Sequence, residues 1–268
     1  MSPDRVGFHV SAFGSENVLA ALSACARHGF PAIEIFADTT LIFAERPDEF
    51  RTLIEISGVA LAGVHAGGML TAPEFHEAEV AEWKRVFDWV RDAGADYAVY
   101  CGGERSYDPM SDVVCAARLL NELGRAAKER GVAFCYEPDR GSPFRTRQAL
   151  ARLIARTDPA LVRLSVDTAH VARTEPDPAA FFAAHRSRIH VVHVRDLRRP
   201  ETPDISRDGF VDPGDGIVDL PGVHAALRGT GYDGWIIGVV ARPHVGPQHS
   251  VEQTARFFRE SMGLQLAV

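Results

Sequence analysis

Eight short runs of β-branched and aromatic residues recur along the chain, each followed by a longer stretch of helical pattern. The runs are RVGFHV (5–10), AIEIFA (32–37), LAGVHA (61–66), YAVYCG (97–102), AFCYEP (133–138), RLSVDT (163–168), IHVVHV (189–194) and WIIGVV (235–240). Helical patterns are expected over 16–28, 73–93, 112–130, 146–156, 178–185, 221–228 and 251–262. Ser15 is placed to cap the first. Val80, Trp83, Val86, Phe87 and Val90 form one apolar stripe on the second. Gly29, Gly94, Gly131 and Gly229 are expected to close helices in the left-handed conformation.

Strands alternating with helices imply βαβ units and a parallel sheet. Eight such units in 268 residues match a single (β/α)8 TIM barrel covering 1–268. A doubly wound sheet is the rival, but no GxGxxG follows the first strand. With 46% hydrophobic and 24% charged residues, the chain has ample apolar material for such a core.

The net charge of −7 disfavours a polyanionic partner such as nucleic acid. The nearest thing to a basic patch is the short RDLRRP (195–200). No apolar run approaches a membrane span. The opening MSPDRVGFHV enters a strand without a charged-then-apolar leader. Cys25, Cys101, Cys115 and Cys135 include no CxxC pair, and Cys25 and Cys115 read as core thiols. A cytoplasmic protein with a small polar substrate is expected.

In a barrel of this kind, catalytic groups gather at the C-terminal ends of the strands. Ionisable residues stand there: His9, Glu34, His65, Cys101, Glu137, Asp167 with His170, and His193 with Asp196. Such groups are costly to bury unless paired or metal-bound. Two carboxylates and an imidazole, Glu137, Asp167 and His193, suit a divalent metal: Mn, Mg, Co, Fe or Zn. An ion-pair network built on Arg140, Arg163 or Arg195 explains the same residues equally well at this point.

The stretches SVDTAHVARTEPDP, RIHVVHVRD and PGDGIVDLPGVHAALRGTGYDGW resemble the xylose-isomerase-like TIM-barrel superfamily. Within it, they are most similar to the sugar phosphate isomerase/epimerase group, with its ketose 3-epimerases, hydroxypyruvate isomerases and inosose dehydratases. The resemblance runs from GFHVSAFG to GYDGW. It implies a divalent metal on Glu137, Asp167 and His193, with His170 on the substrate, and it favours the metal over the network. It also implies a fourth ligand, a last-strand glutamate that doubles as a catalytic base. Aligned on GYDGW, that position is Val239.

The resemblance thus implies proton transfer beside a carbonyl, by an isomerase or epimerase acting on a small polyhydroxylated carbonyl compound. A dehydratase of the inosose dehydratase type is the alternative. A divergent barrel without tight metal, acting by acid–base chemistry or as a non-catalytic subunit, is a third. Superfamily abasic-site endonucleases are disfavoured by Cys101, Val239, Asp208-Gly209-Phe210 and the acidic charge. With Val239 apolar, the base falls to Glu137, His65 or His170. His9, Glu34, Cys101 and Arg195 are candidate substrate-binding residues, and Arg195, Arg242 and His244 are candidate anion contacts. Phe8, Phe13 and Phe36 are expected in the cavity wall or the core, and Trp235 in barrel packing. Relatives of this kind are often oligomers, so a homo-oligomer is a possible assembly.

Overall fold

The structure is a computed structural model that describes residues 5–44, 46–103, 108–139, 141–199 and 209–267. Eight parallel strands close into a barrel: β1 (Val6–His9), β2 (Ala32–Phe36), β3 (Ala60–Gly68), β4 (Tyr97–Gly102), β5 (Ala133–Glu137), β6 (Arg163–Asp167), β7 (Ile189–Val194) and β8 (Trp235–Gly238). Each strand pairs with its sequence neighbours, and β1 closes on β8 through Val6↔Ile236 and Phe8↔Gly238. The TIM barrel expected from the alternation is therefore what the chain forms.

Helices cover the barrel. The apolar stripe Val80, Trp83, Val86, Phe87 and Val90 is buried on helix His76–Asp92. There Trp83 and Phe87 pack on Phe134 of β5. Aspartate and threonine side chains open several helices: Asp108, Thr146, Asp177 and Asp219 each accept a backbone N–H of the first turn. Ser15 does not cap. It lies in a 3-10 turn (Ser15–Asn17) ahead of helix Val18–His28. Gly29, Gly94 and Gly131 are left-handed as expected. Gly229 is not: its φ is −59°, and the left-handed turn falls two residues later at Gly231. Short helices at Ala37–Ile42, Pro47–Ser57 and Thr168–Ala172 are additional. So is a two-stranded antiparallel ribbon joining Asp196–Leu197 to Phe210–Val211 over the seventh strand's end.

Inward-facing side chains fill the barrel in layers. Ala32, Tyr97, Val99, Cys135, Val191, Ile237 and Val239 form an inner apolar cluster, separate from the shell between barrel and helices. One register row shapes the rest. Glu34 on β2 pairs with Gly63 on β3, which pairs with Tyr97 on β4. A Cβ on Gly63 would stand 2.3 Å from the Tyr97 ring. The ring therefore lies across the glycine, and its hydroxyl donates to Glu34 Oε2 at 2.8 Å. At the opposite end from the polar strand termini, Asp96 accepts from Arg5 (2.9 Å) and Trp235 Nε1 (2.8 Å) and faces His190 Nε2 at 3.3 Å. Trp235 thus packs the barrel's closed end, with its indole N–H satisfied.

Candidate active site

Alternation along each strand turns every second residue inward, so one polar residue from each of the first seven strand ends reaches the mouth. His9 is buried at the end of β1. Its Nδ1 accepts the Ser11 N–H at 2.9 Å, and its ring lies edge-on to Phe36 at 4.7 Å. Burial holds the imidazole down to about 3, against the attraction of Glu34. His9 is thus a neutral wall residue, and Phe36 is the phenylalanine of the three that stands beside the site. Phe8 and Phe13 are core.

A buried chain of carboxylates and imidazoles crosses the barrel. Glu34 Oε2 lies 3.0 Å from His193 Nε2, and Glu137 Oε2 lies 2.8 Å from His193 Nδ1. Glu137 Oε2 also faces His65 Nε2 at 3.4 Å and accepts from Ser165 Oγ at 3.1 Å. Burial opposes charge on every member, yet the pairing outweighs it. Glu34 is held at about 2 by His193, and His193 is raised to about 10 by Glu137 and Glu34. Glu137 is held well below the usual carboxylate range by His193 and His65. Burial likewise disfavours the His65 imidazolium, but Cys101 and Glu137 raise it well above its usual value.

Asp167 divides its two oxygens. Oδ1 caps the short helix Thr168–Ala172, accepting from Ala169 N at 2.9 Å and His170 N at 3.0 Å. Oδ2 is buried without a hydrogen bond, although Arg195 Nε stands 3.0 Å away. Among the described residues, two sets of ligand atoms converge within 4.8 Å: His65, Glu137 and His193, and Glu137, Asp167 and His170. Glu137 is common to both. Asp167 and His193 are register partners on β6 and β7, yet their ligand atoms fall in different sets.

These residues fit a divalent cation. The donors are the carboxylate and imidazole groups such ions take, and Asp167 Oδ2 is a buried acceptor that makes no hydrogen bond, with its charge faced by Arg195. Two ligands at right angles on one ion, each about 2.1 Å away, stand about 3 Å apart. That is close to the 2.8 Å between His193 Nδ1 and Glu137 Oε2. Glu34, by occupying Nε2, leaves Nδ1 as the nitrogen that faces Glu137. A carboxylate behind a ligating histidine commonly serves this purpose.

The other expected residues are distributed around this centre. Cys101, half-buried, is the register partner of Glu137 and lines a cavity of about 330 Å³ with Phe36, His65, Glu79 and Trp83. Asp196 is not free for catalysis: its carboxylate accepts the N–H groups of Leu197, Gly214, Gly216 and Val218, clasping the loop after β7. Arg163 donates to the Ser187 carbonyl at the start of β6, far from the mouth. Arg242 and His244 are exposed loop residues. Arg140 and Asp208 lie outside the described residues. Val239 follows β8 and joins the inner apolar cluster at 2% exposure, so its side chain faces inward, where the resemblance expects an acid. Sequence reasoning missed Tyr97 and Ser165, which hydrogen-bond Glu34 and Glu137, and Phe210, whose ring meets His170 at 5.3 Å. An inward-facing parity count would have found the first two; nothing in the sequence signals Phe210.

Comparison with known proteins agrees with this architecture. Residues 22–261 match the xylose isomerase-like TIM barrel family. An inosose dehydratase from Geobacillus kaustophilus is 28% identical, over 91% of this chain and 88% of its own. The zinc-bound crystal structure of IolI superposes with a TM-score of 0.82 at 17% identity, covering 97% of this chain and 98% of that one. D-psicose 3-epimerase from Clostridium cellulolyticum H10, solved with D-tagatose, has a TM-score of 0.80 at 17% identity, covering 96% and 99%. At that identity the two structures speak to the fold alone, whereas the sequence match spans most of the chain. With its closed barrel and its acidic and imidazole groups at the strand ends, the chain belongs to the xylose isomerase-like TIM barrel family.

Proposed function

We propose that this protein is a divalent-metal-dependent lyase that removes water from a polyhydroxylated carbonyl compound, in the manner its inosose dehydratase relatives are named for. The observation that carries the choice is Val239. An epimerase must take a proton from one face of a carbon and return one to the other, which calls for two opposed proton-transfer groups. The last strand offers an apolar side chain where the second would stand. Dehydration needs one base at the carbon and one acid at the departing hydroxyl, and the two remaining histidines meet that need.

Glu137, Asp167 and His193 are the residues that would hold the ion. When bound, it supplies Lewis-acid polarisation of the substrate carbonyl. His170 borders Glu137 and Asp167 from the β6 side, and His65 borders Glu137 from the β3 side. His170 takes the proton from the carbon beside the carbonyl. His65, which faces Glu137 from the β3 side, gives a proton to the hydroxyl on the next carbon. The C–O bond breaks, the C=C bond forms, and water leaves. The buried Glu34–His193 pair keeps the ligand ring from turning during this exchange.

The test is to incubate the Mn²⁺-loaded protein with 2-keto-myo-inositol in deuterated water. Loss of water with growth of ultraviolet absorbance from the conjugated product is the expected result. Deuterium entering recovered substrate with no loss of water would point instead to the isomerase or epimerase that the sequence first suggested. No exchange and no retained metal would favour a barrel without metal chemistry.

A further inference from the structure

Arg195 lies two residues beyond His193 and so shares its inward-facing side of the chain. The side chain is only 14% exposed. Its Nε is aimed at Asp167 Oδ2 at 3.0 Å without the alignment of a hydrogen bond. The flat face of the guanidinium packs on Phe210, 4.6 Å from the ring centre. Arg173 packs on the same ring, also at 4.6 Å, and His170 meets it edge-on at 5.3 Å. One guanidinium, Arg195, therefore borders the Glu137–Asp167–His170 set, and a second, Arg173, shares its aromatic platform. On the β8 side, Ile237 is level with His193, which brings Val239 level with Arg195. The neighbouring strand thus places an apolar group, not an acid, beside the guanidinium.

A guanidinium fixed by its Nε and its face keeps two terminal amino groups for a forked acceptor. Nε is sealed from solvent, so the 14% of the side chain that stays exposed lies elsewhere on it. Asp167 has a single charge to share between Arg195 and a bound ion. The chain as a whole carries −7, so an anion needs local cations to approach the mouth. We propose that Arg195 receives an oxyanion, a carboxylate or a phosphate ester, carried by the substrate, so that an acidic polyhydroxylated carbonyl compound is processed in preference to a neutral one. This rests on the reading of the mouth as the metal-dependent site given above.

Glucose, glucuronate and glucose 6-phosphate form a matched set: one ring bearing a hydroxymethyl, a carboxylate or a phosphate ester. Each is titrated calorimetrically into Mn²⁺-loaded and metal-free protein at fixed ionic strength. One of the two anions is expected to bind at least ~10-fold more tightly than glucose, as a charge-assisted forked contact provides. Which anion wins identifies the oxyanion. Arg195→Gln is expected to bring that anion to the level of glucose and leave glucose unchanged. Arg195→Lys, which keeps the charge and loses the fork, is expected to fall between, and it serves if the glutamine variant folds poorly. The inference is overturned if glucose binds as well as both anions, if no anion binds in the millimolar range, or if the preference survives Arg195→Gln. An Arg195-dependent preference in a protein that retains no metal would sink the metal reading and leave this one standing. Retained metal without the preference would do the reverse.

Discussion

Glu34 and His193 meet at 3.0 Å inside the barrel, 159 residues apart in sequence, and the far nitrogen of the same ring faces Glu137 at 2.8 Å. Glu34 on Nε2 and Glu137 on Nδ1 hold the imidazole from both sides. Glu34→Gln should keep the fold and weaken metal retention by roughly 10- to 100-fold, read by competition with a chelator. Unchanged metal affinity would show that His193 is held without Glu34.

The same pair gives the metal-free protein a pH signature. Burial opposes the charge on both groups, but their mutual attraction prevails. Glu34 sits at about 2, below its ordinary 4.5, so its contribution is complete above 4.5 and is lost as pH falls through about 2. His193 is raised from 6.5 to about 10, so its contribution is complete below 6.5 and is lost as pH rises through about 10. Where both are complete, between 4.5 and 6.5, this pair stabilises the fold most. A metal-free Tm that climbs steadily from pH 6.5 to 9 would contradict the pairing. Metal binding should instead strengthen as pH rises, because the ion displaces the proton from His193.

Asp167→Asn and His193→Ala should each abolish metal retention and activity. Elemental analysis of the purified variants checks this. Metal stoichiometry unchanged in both would sink the proposed ligands.

Val239→Glu places a carboxylate among Val99, Val191 and Ile237. Without metal it should cost about 2 kcal/mol of stability, the penalty of burying a charge that Arg195, at the end of the neighbouring strand, only partly offsets. With Mn²⁺ present, most of that loss should return through binding to the folded state. Thermal melts with and without Mn²⁺ measure both effects, and a variant indifferent to metal would place residue 239 outside the ion's reach.

Asp96, at the closed end of the barrel, is held at about 2 by His190, against burial, with Trp235 and Arg5 assisting. Its contribution is complete above its ordinary 3.8 and fades as pH falls through about 2. The carboxylate is more than one-third exposed, so solvent screening reduces the effect, and Asp96→Asn should cost only about 1 kcal/mol. Metal binding should be untouched, since the residue stands at the far end. Coupled loss of metal would show that the two ends communicate.

Much of this architecture was legible in the chain. The eight strands were readable because β-branched runs broken by helical periodicity leave few alternatives, and the polar strand ends because an ionisable residue at the tip of an apolar run is conspicuous. The partners of those residues were not. Tyr97 reads as an ordinary strand aromatic, and its bond to Glu34 depends on a register row spanning three strands. Asp196 looks identical in sequence to a catalytic acid, yet its carboxylate is consumed by four backbone N–H groups of a loop. The division of Glu137 between two histidine sets exists only once the barrel has closed.

Gly63 contributes no side chain to the mouth, yet the space it leaves is what lets the Tyr97 ring pass over to Glu34. Adding one methyl group there would push the ring aside, release the glutamate and then free the imidazole behind it. A screen that watched only the ionisable residues would score this position as neutral scaffold. In this barrel an empty volume acts as a working part, and a substitution at the least reactive residue would be felt at the most reactive ones.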